Sequence, residues 1–416
     1  MTRTAALASL AIVTLLFSCG CSTTHKANTP SAKPQGEADK LARAKGGPFP
    51  VSNKLELVAT FPDQMLTGVA VSPTGRIFVN YPRWGEPVKF TVAEIVNGKE
   101  VPYPNLEVNQ GDKGDADKKF VSVQSVVVDP AGRLWVVDTG SVEFGPVPDG
   151  AAKLMCYDLS TNQLIKTIPF PRDVVRPNSY TNDIRFDLSR GAGGVGYITD
   201  SSNKGENGLI VVDLASGKAW RRLDKHPSTL PQPGFTPTVE GQPLLLCPAA
   251  GPEKPNPIGS DGIAVLDGRL YYSALTGHHL YSVSLDVLSD PNASEQQVEA
   301  TLQDLGDRGF ASDGLDADAQ GRVYLTDYEH NAVKRRDTSG QYTTLVQDPR
   351  LIWPDSMAIA NDGQLYVTAN QLNRQPQFHK GKDERVQPYA LFRFPTDGRP
   401  IRQEARGTAG GIGQTK

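Results

Sequence analysis

The chain has 416 residues, of which 38% are hydrophobic and 21% are charged, so it is large enough to bury a sizeable core. Its formal net charge of −3 at pH 7 excludes the strongly basic surface with which proteins bind nucleic acid. Forty glycines and 32 prolines are spread along the chain, which is typical of a fold with many tight turns and favours β-structure.

Residues 1–20 have the pattern of an export signal. Arg3 supplies a positive charge, and residues 5–17 form an apolar stretch that is too short to span a bilayer. Cys19 and Cys21 follow in a segment that resembles a lipobox, in which one cysteine receives lipid; an ordinary cleaved signal is the alternative. We therefore expect an exported protein, lipid-anchored in the periplasm or at the cell surface, or otherwise secreted. Residues 21–54 are rich in small and polar residues and predict a flexible tether.

A motif that occurs six times indicates a repeat fold. Each copy has a polar residue, a small residue, an alternating apolar run, a turn and a second alternating run, which predicts two antiparallel strands. The polar residues, called anchors below, are Thr67, Gln124, Asn182, Asp261, Asp313 and Asp355. The intervals between anchors suit propeller blades, each of which takes ~40–50 residues plus loops. The sequence thus predicts an all-β, six-bladed β-propeller over residues 55–397 and a flexible tail over 398–416.

Two features outside the repeats leave alternatives open. The longest interval between anchors contains a proline-rich insertion at about residues 223–257. Such loops commonly form lids or binding loops, and a solvated loop over a blade edge is the alternative. Cys156 and Cys247 are the two cysteines that follow the tether, and they either form a disulfide or remain unpaired thiols.

The anchors are the candidate ligand-binding residues. In a propeller the first strand of each blade lines the central channel, so residues that begin these strands should converge near one mouth. Three carboxylates and two amides around one axis repel each other unless a cation, a cationic ligand or hydrogen-bond donors compensate them. Oxygen donors of this kind suit Ca²⁺ or Mg²⁺, with Asn182 and Asp261 as candidate ligands. The competing interpretation is that Asp and Asn before Gly are ordinary turn residues.

A series of motifs occurs in the order found in the yellow / major royal jelly protein family, which the chain resembles from about residue 55 to 394. These motifs are Thr181–Asp187, Tyr197–Ser201, Gly208–Val211, Ala219–Arg221, Leu270–Leu275, Trp353–Ser356 and Thr368–Leu372. The resemblance implies a six-bladed propeller, secretion and a central site that holds small aromatic amines in some members. It also implies, by position, that Thr368 and Asn370 lie near the amine pocket, with Asp355 as partner for an ammonium group.

A second resemblance is to the gluconolactonase / senescence marker protein propellers. In that family Glu, Asn, Asn and Asp at four successive anchors hold one divalent cation. The corresponding residues here are Thr67, Gln124, Asn182 and Asp261, of which the last two match. The loss of one carboxylate should lower metal affinity.

Three functions follow as hypotheses. The first is binding of a small organic ligand, such as an aromatic amine or catechol, by Asn182, Asp261, Asp313, Asp355, Thr368 and Asn370. The second is catalysis, either metal-assisted lactone hydrolysis or a dopachrome-type tautomerisation, with Asp261 or Asp313 as the base. The third is a scaffold for other proteins of the cell envelope.

Overall fold

The computed structural model describes residues 50–111 and 115–404. The predicted export signal, the lipidation candidates Cys19 and Cys21, and residues 21–49 of the predicted tether lie outside the described residues. Within the described ranges, no helix combines the length and the apolar character needed to cross a membrane.

Six four-stranded antiparallel sheets dominate the described chain, and they are the blades of a six-bladed β-propeller, as predicted. Blades 1 to 3 are formed by Val69–Val71, Ile77–Asn80, Val92–Val96 and Lys99–Pro102; by Val123–Val128, Leu134–Asp138, Lys153–Asp158 and Gln163–Pro169; and by Thr181–Asp187, Val195–Asp200, Gly208–Asp213 and Ala219–Arg222. Blades 4 to 6 are formed by Ser260–Leu266, Arg269–Ala274, His279–Ser284 and Gln303–Asp307; by Leu315–Ala317, Val323–Asp327, Ala332–Arg336 and Tyr342–Gln347; and by Pro354–Ile359, Gln364–Ala369, Tyr389–Pro395 and Glu56–Phe61. Each predicted strand pair forms the two innermost strands of one blade.

The ring is closed by strands from both ends of the described chain. Glu56–Phe61 is the outermost strand of blade 6, where it pairs antiparallel with Tyr389–Pro395. The innermost strands of neighbouring blades contact one another around the whole ring, including those of blades 6 and 1. Closure leaves each inner strand with a neighbour on both sides, which is how propellers avoid exposed sheet edges.

The hydrophobic core lies between neighbouring blades. Because side chains alternate across a strand, each blade presents one apolar face to the preceding blade and the other to the following blade. Between blades 2 and 3, for example, Trp135 packs against Phe186 with ring centroids 5.2 Å apart. Between blades 1 and 2, the rings of Tyr103 and Tyr157 meet edge to face with centroids 5.6 Å apart. The six inter-blade layers fix the positions of the inner strands around the channel.

Gly262 and Gly314 follow the anchors of blades 4 and 5 because the inner strands approach each other closely. A Cβ atom on Gly262 would lie 2.1 Å from the backbone oxygen of Asp313, and one on Gly314 would lie 2.4 Å from that of Asp355. Asp261 and Gly262 lie inside the inner strand Ser260–Leu266, so the interpretation of this pair as a turn is wrong. The small residue of the motif is required by close packing around the channel.

The insertion packs on the face where the inner strands begin, called the upper face below. It contains two short hairpins, Thr238–Val239 with Gln242–Pro243 and Leu245–Leu246 with Lys254–Pro255. Its apolar side chains pack with Leu275, Tyr328 and Trp353 of blades 4 to 6. The insertion is therefore an ordered cover.

Few other elements interrupt the β-structure of the described chain. Two short helices, Leu285–Leu288 and Glu295–Glu299, connect strands of blade 4, and two 3₁₀ turns, Leu372–Arg374 and Pro376–Phe378, lie in blade 6. Cys156 is buried in blade 2, and Cys247 is partly exposed in the insertion. Both are unpaired thiols, which settles the alternative left open by the sequence.

A C-terminal segment crosses the opposite, lower face of the propeller. Pro400 forms a β-bridge with Asp318 of blade 5. The side chain of Gln403 accepts a hydrogen bond from the backbone N–H of Leu188, 2.6 Å away in blade 3. Residues 398–403, which were predicted to begin a flexible tail, therefore hold defined contacts across the lower mouth of the channel.

Candidate functional site

Three anchor carboxylates converge beneath the upper mouth of the channel, and we call Asp261, Asp313 and Asp355 the acidic ring. Each of the three residues is at most 8% exposed. Burial, followed by the charges of Asp313 and Asp355, raises the pKa of Asp261 well above its usual value. The inner strands of blades 4, 5 and 6 thus bring together residues that are far apart in the sequence.

Each carboxylate of the acidic ring accepts a hydrogen bond from a neutral donor. The pairs are Asn182 Nδ2 to Asp261 Oδ1 at 2.6 Å, Trp353 Nε1 to Asp313 Oδ2 at 2.7 Å, and Asn370 Nδ2 to Asp355 Oδ2 at 2.6 Å. Across the described ranges, no Lys or Arg side chain forms an ion pair with any of the three. Neutral N–H donors therefore position the three carboxylates, and their negative charge must be balanced by a ligand or by protons.

Protons balance part of the charge. Burial is the largest cause that raises the pKa of Asp313 to about 6, while hydrogen bonds from Trp353 and Asp261 act in the opposite direction. The pKa of Asp355 is raised well above its usual value by burial and by the nearby Asp313 charge. Burial and mutual repulsion thus favour the protonated forms of these carboxyl groups and lower the negative charge of the ring.

Trp353 was not predicted as a site residue, although it precedes the Pro354–Asp355 pair. Its φ is 53°, a left-handed backbone conformation that bulky residues rarely adopt. Its indole is fully buried and stacks on Tyr328, with ring centroids 4.2 Å apart and planes 14° apart. Local strain held by surrounding packing is common at functional sites, and here it directs the indole N–H at Asp313.

A second aromatic group borders the ring on the side of blades 1 to 3. The rings of Trp84, Phe144 and Tyr180 stack in series, with centroids 5.3 and 4.8 Å apart. Trp84 donates its indole N–H to the Tyr180 hydroxyl, which donates to the Gln124 amide oxygen at 2.8 Å. The charges of Asp261 and Asp355 contribute to the raised pKa of Tyr180, so this hydroxyl lies close to the acidic ring.

No sequence pattern indicated that these aromatic residues form a group. Trp84 and Phe144 lie in loops that follow the second strands of blades 1 and 2, and no repeat marks them. Phe144 also has a left-handed backbone, with φ of 53°. Their convergence depends on the loops of two blades and could be seen only in the folded chain.

Thr368 and the anchor Thr67 hold neighbouring blades together instead of facing the acidic ring. Thr368 donates to the backbone oxygen of Thr67 at 2.9 Å and accepts from the Ser356 N–H at 3.0 Å, which ties blade 6 to blade 1. Thr67 in turn donates to the backbone oxygen of Gln124 at 3.2 Å. The hydroxyl of Thr368 is thus committed to the backbone of the ring of blades.

The residues present do not fit the divalent-cation site suggested for Asn182 and Asp261. Asn182 directs an N–H of its amide at Asp261, and the Gln124 amide oxygen is engaged by Tyr180. In the described part of the chain, no three His, Cys, Asp or Glu side chains are arranged to hold a metal ion. We therefore derive no chemical step that requires Ca²⁺ or Mg²⁺.

The fold and the site define a class: a six-bladed β-propeller with a buried acidic ring beneath one mouth of its channel. Residues 121–391 match the sequence pattern of the family described as Major royal jelly protein. The chain belongs to this family.

Its relatives include insect yellow proteins. Protein yellow of Drosophila guanche is 25% identical over 325 residues, which cover 71% of this chain and 54% of that protein. Protein yellow of Drosophila pseudoobscura pseudoobscura is 28% identical over 257 residues, covering 56% of this chain and 42% of that protein. The chain spans about half the length of the curated relatives that it matches.

Solved structures support the propeller fold. A calcium-binding regucalcin from Agrobacterium tumefaciens superposes with a TM-score of 0.51 at 14% identity, covering 84% of this chain and 98% of that one. A luciferin-regenerating enzyme gives a TM-score of 0.51 at 12% identity, covering 84% of this chain and 99% of that one. At these identities the likeness shows the fold alone.

Proposed function

We propose that this propeller binds a small organic cation, an aromatic or catechol amine, at the acidic ring. The observation that carries the proposal is a set of three buried carboxylates, each hydrogen-bonded only by neutral donors of the described chain. A buried negative charge is costly without a positive partner, and an ammonium group supplies one with several hydrogen-bond donors.

The surroundings of the ring suit the aromatic part of such a ligand. Trp84, Phe144 and Tyr180 present stacked rings on one side, and Trp353 and Tyr328 do so on the other. Aromatic faces attract cations and stack with other rings. The insertion covers this region and lowers its exposure to water, which strengthens the ion pair.

The number of charges favours a ligand with one positive charge. Burial and mutual repulsion raise the pKa of Asp261 and Asp355 and favour their protonated forms, whereas Asp313 ionises with a pKa of about 6. The reduced charge of the ring favours a ligand with a single ammonium group. A neutral analogue with the same aromatic ring should bind much more weakly.

The test compares dopamine and tyramine with 4-ethylphenol by calorimetry at pH 7. We expect amine binding that falls at least about tenfold in Asp355→Asn or Asp313→Asn, as charged hydrogen bonds contribute ~1.5–3 kcal/mol. Asp397→Asn, which changes a carboxylate that is 70% exposed, should bind like the wild type. Equal affinity for dopamine and 4-ethylphenol in the wild-type protein would overturn the proposal.

One observation favours a second candidate, a tautomerase. Asp261 and Asp313 lie close enough to influence each other's pKa, and burial raises the pKa of both carboxyl groups, so the pair favours holding a proton. Such a pair can take a proton from one carbon of a bound catechol derivative and return it to another atom. Conversion of dopachrome should then fall at least about a hundredfold in Asp261→Asn, and an unchanged rate would remove this candidate.

The proposed location is the cell envelope. The apolar stretch and the Cys19 and Cys21 motif support export with a lipid anchor. Labelling of cells with a fatty-acid analogue tests this in the wild type, Cys19→Ser and Cys21→Ser. Loss of label in one variant identifies the lipidated cysteine, and absence of label from the wild type argues for an unlipidated protein.

A further inference from the structure

The lower half of the channel contains a cavity that is separate from the acidic ring. Its volume is about 100 Å³, and parts of all six inner strands line it. The C-terminal residues Pro400, Ile401 and Arg402 line it at the lower mouth. We call this space the lower chamber, with the C-terminal segment as its floor.

An ion-paired group of side chains forms the ceiling of the lower chamber. Arg185 pairs with Asp183 at 2.8 Å, and its Nε lies 4.0 Å from a carboxylate oxygen of Asp316. Ser125 donates its hydroxyl to Asp183 at 2.8 Å. These side chains come from blades 2, 3 and 5, so the ceiling reaches across the channel between the lower chamber and the acidic ring.

The ceiling offers polar atoms to the chamber. The side chains of Arg185, Asp183 and Asp316 keep 13%, 12% and 22% of their surface accessible. All three line the cavity in the middle of the propeller, so part of this surface faces the chamber. Two backbone N–H groups, of Ala317 and Ile359, bind Asp316, which leaves further acceptor positions on its oxygens.

The remaining walls are mainly aliphatic. Val71, Val126, Met357 and Ile359 contribute from the inner strands of blades 1, 2 and 6, and Ile401 contributes from the floor. Aliphatic walls favour a guest with an apolar body, whereas the ceiling favours a polar end group. The chamber is therefore amphipathic along the channel axis.

The charges around the chamber cancel. Arg185 and Arg402 carry positive charge, Asp183 and Asp316 carry negative charge, and Arg402 interacts electrostatically with Asp316. Neither an anion nor a cation would therefore gain a net partner. A neutral group that can both donate to Asp316 and accept from Arg185 matches this balance.

We propose that the lower chamber is a second binding site, which takes a small neutral molecule with a hydroxyl or carboxamide at one end and a short aliphatic body at the other. An apolar cavity of ~150 Å³ holds benzene, so ~100 Å³ suits an aliphatic body of about three or four carbons. This site is distinct from the proposed amine site, because its cavity, its balance of charges and its class of ligand are different.

The test measures binding of isobutanol and isobutyramide to the full-length protein by saturation-transfer NMR. Ile401→Ala shortens the floor residue and lengthens the chamber. We therefore expect the affinity for 3-methylbutanol relative to that for isobutanol to rise about fourfold, which is the contribution of one buried methylene. Ile165→Ala makes the same chemical change at a residue that is 51% exposed, and its preference should stay as in the wild type. Circular dichroism checks that each variant is folded.

Two results would overturn the proposal. One is the absence of saturation transfer to both probes with the wild type and with Ile401→Ala, which would show that the chamber takes only water. The other is the same preference in Ile401→Ala as in Ile165→Ala. If Ile401→Ala does not fold, Ile401→Val provides a smaller enlargement with the same expected direction. Dopamine binding is measured in parallel and reports on the acidic ring. It therefore distinguishes failure of the proposed amine site from failure of the proposed site in the lower chamber.

Discussion

The indole N–H of Trp353 lies 2.7 Å from a carboxylate oxygen of Asp313, and the backbone of Trp353 is left-handed to reach it. This hydrogen bond favours the ionised form of Asp313 and opposes the effect of burial on its pKa. The indole therefore influences which carboxyl of the acidic ring carries charge.

Replacing Trp353 with Phe removes the donor and keeps most of the ring packing. We expect the pKa of Asp313 to rise above about 6, so that amine binding is half lost at a higher pH than in the wild type. Calorimetric titrations between pH 5 and pH 8 measure this midpoint. Trp220→Phe is the matched control, because the indole of Trp220 in blade 3 donates to the Leu288 backbone oxygen of blade 4 at 3.0 Å, away from the acidic ring. An unmoved midpoint in Trp353→Phe would contradict the assigned role.

Asp313→Asn should stabilise the protein at neutral pH while it impairs amine binding. The folded pKa of Asp313, about 6, lies above the unfolded value of 3.8, so ionisation of Asp313 destabilises the fold as pH rises from about 4 to 6. The substitution removes this effect, of the order of 2–3 kcal/mol at pH 7. Thermal unfolding at pH 4 and pH 7 tests it, with the gain expected at pH 7. Asp397→Asn, at an exposed position, should not show this pattern.

Arg185→Met should be strongly destabilising. Its ion pair with Asp183 lies inside the channel, and removal of one partner of a buried pair costs ~3–5 kcal/mol because the other charge is left uncompensated. Adding Asp183→Asn to Arg185→Met should recover a large part of the loss. The control is Arg393→Met, whose partner Glu56 is 53% exposed and whose loss should cost ~0–1 kcal/mol. Chemical denaturation of the wild type and the three variants gives the comparison.

Glu240→Ala should loosen the cover over the acidic ring. Glu240 of the insertion pairs with Arg374 and accepts from the Asn373 amide at 2.9 Å in blade 6. We expect faster hydrogen exchange across residues 223–257 and faster amine dissociation, because local opening becomes easier. Glu253→Ala breaks a more exposed pair with Lys380 in the same insertion and should leave both rates unchanged. Equal effects of the two substitutions would show that this clamp does not hold the cover.

The six blades could be predicted because the repeat records them locally. Alternating apolar residues and turn glycines recur in every copy, and the anchors mark where each inner strand begins. The close placement of Asp261, Asp313 and Asp355 follows from propeller geometry alone. Family resemblance added Asn370, which the structure places against Asp355.

The features that the repeat did not indicate depend on contacts between distant and unrepeated segments. Trp84 and Tyr180 meet across 96 positions in the sequence, and the Gln403 contact with Leu188 spans 215. No local pattern carries such information, so the sequence could show the aromatic residues but not their common position. For the same reason the sequence did not reveal that the Thr368 hydroxyl donates a hydrogen bond to the backbone of blade 1.

Blade 6 also sets the order in which the molecule can be completed. Its outer strand begins at Glu56, whose side chain bonds Arg393, 337 positions later, so the last blade cannot form until nearly the whole chain is available. Closing so long a loop carries an entropic cost, and pairing between strands so distant in sequence slows folding. Until Tyr389–Pro395 arrives, Glu56–Phe61 has no partner strand and the ring is open at one seam. During synthesis the early part of the chain therefore depends on the final segment to become a closed propeller.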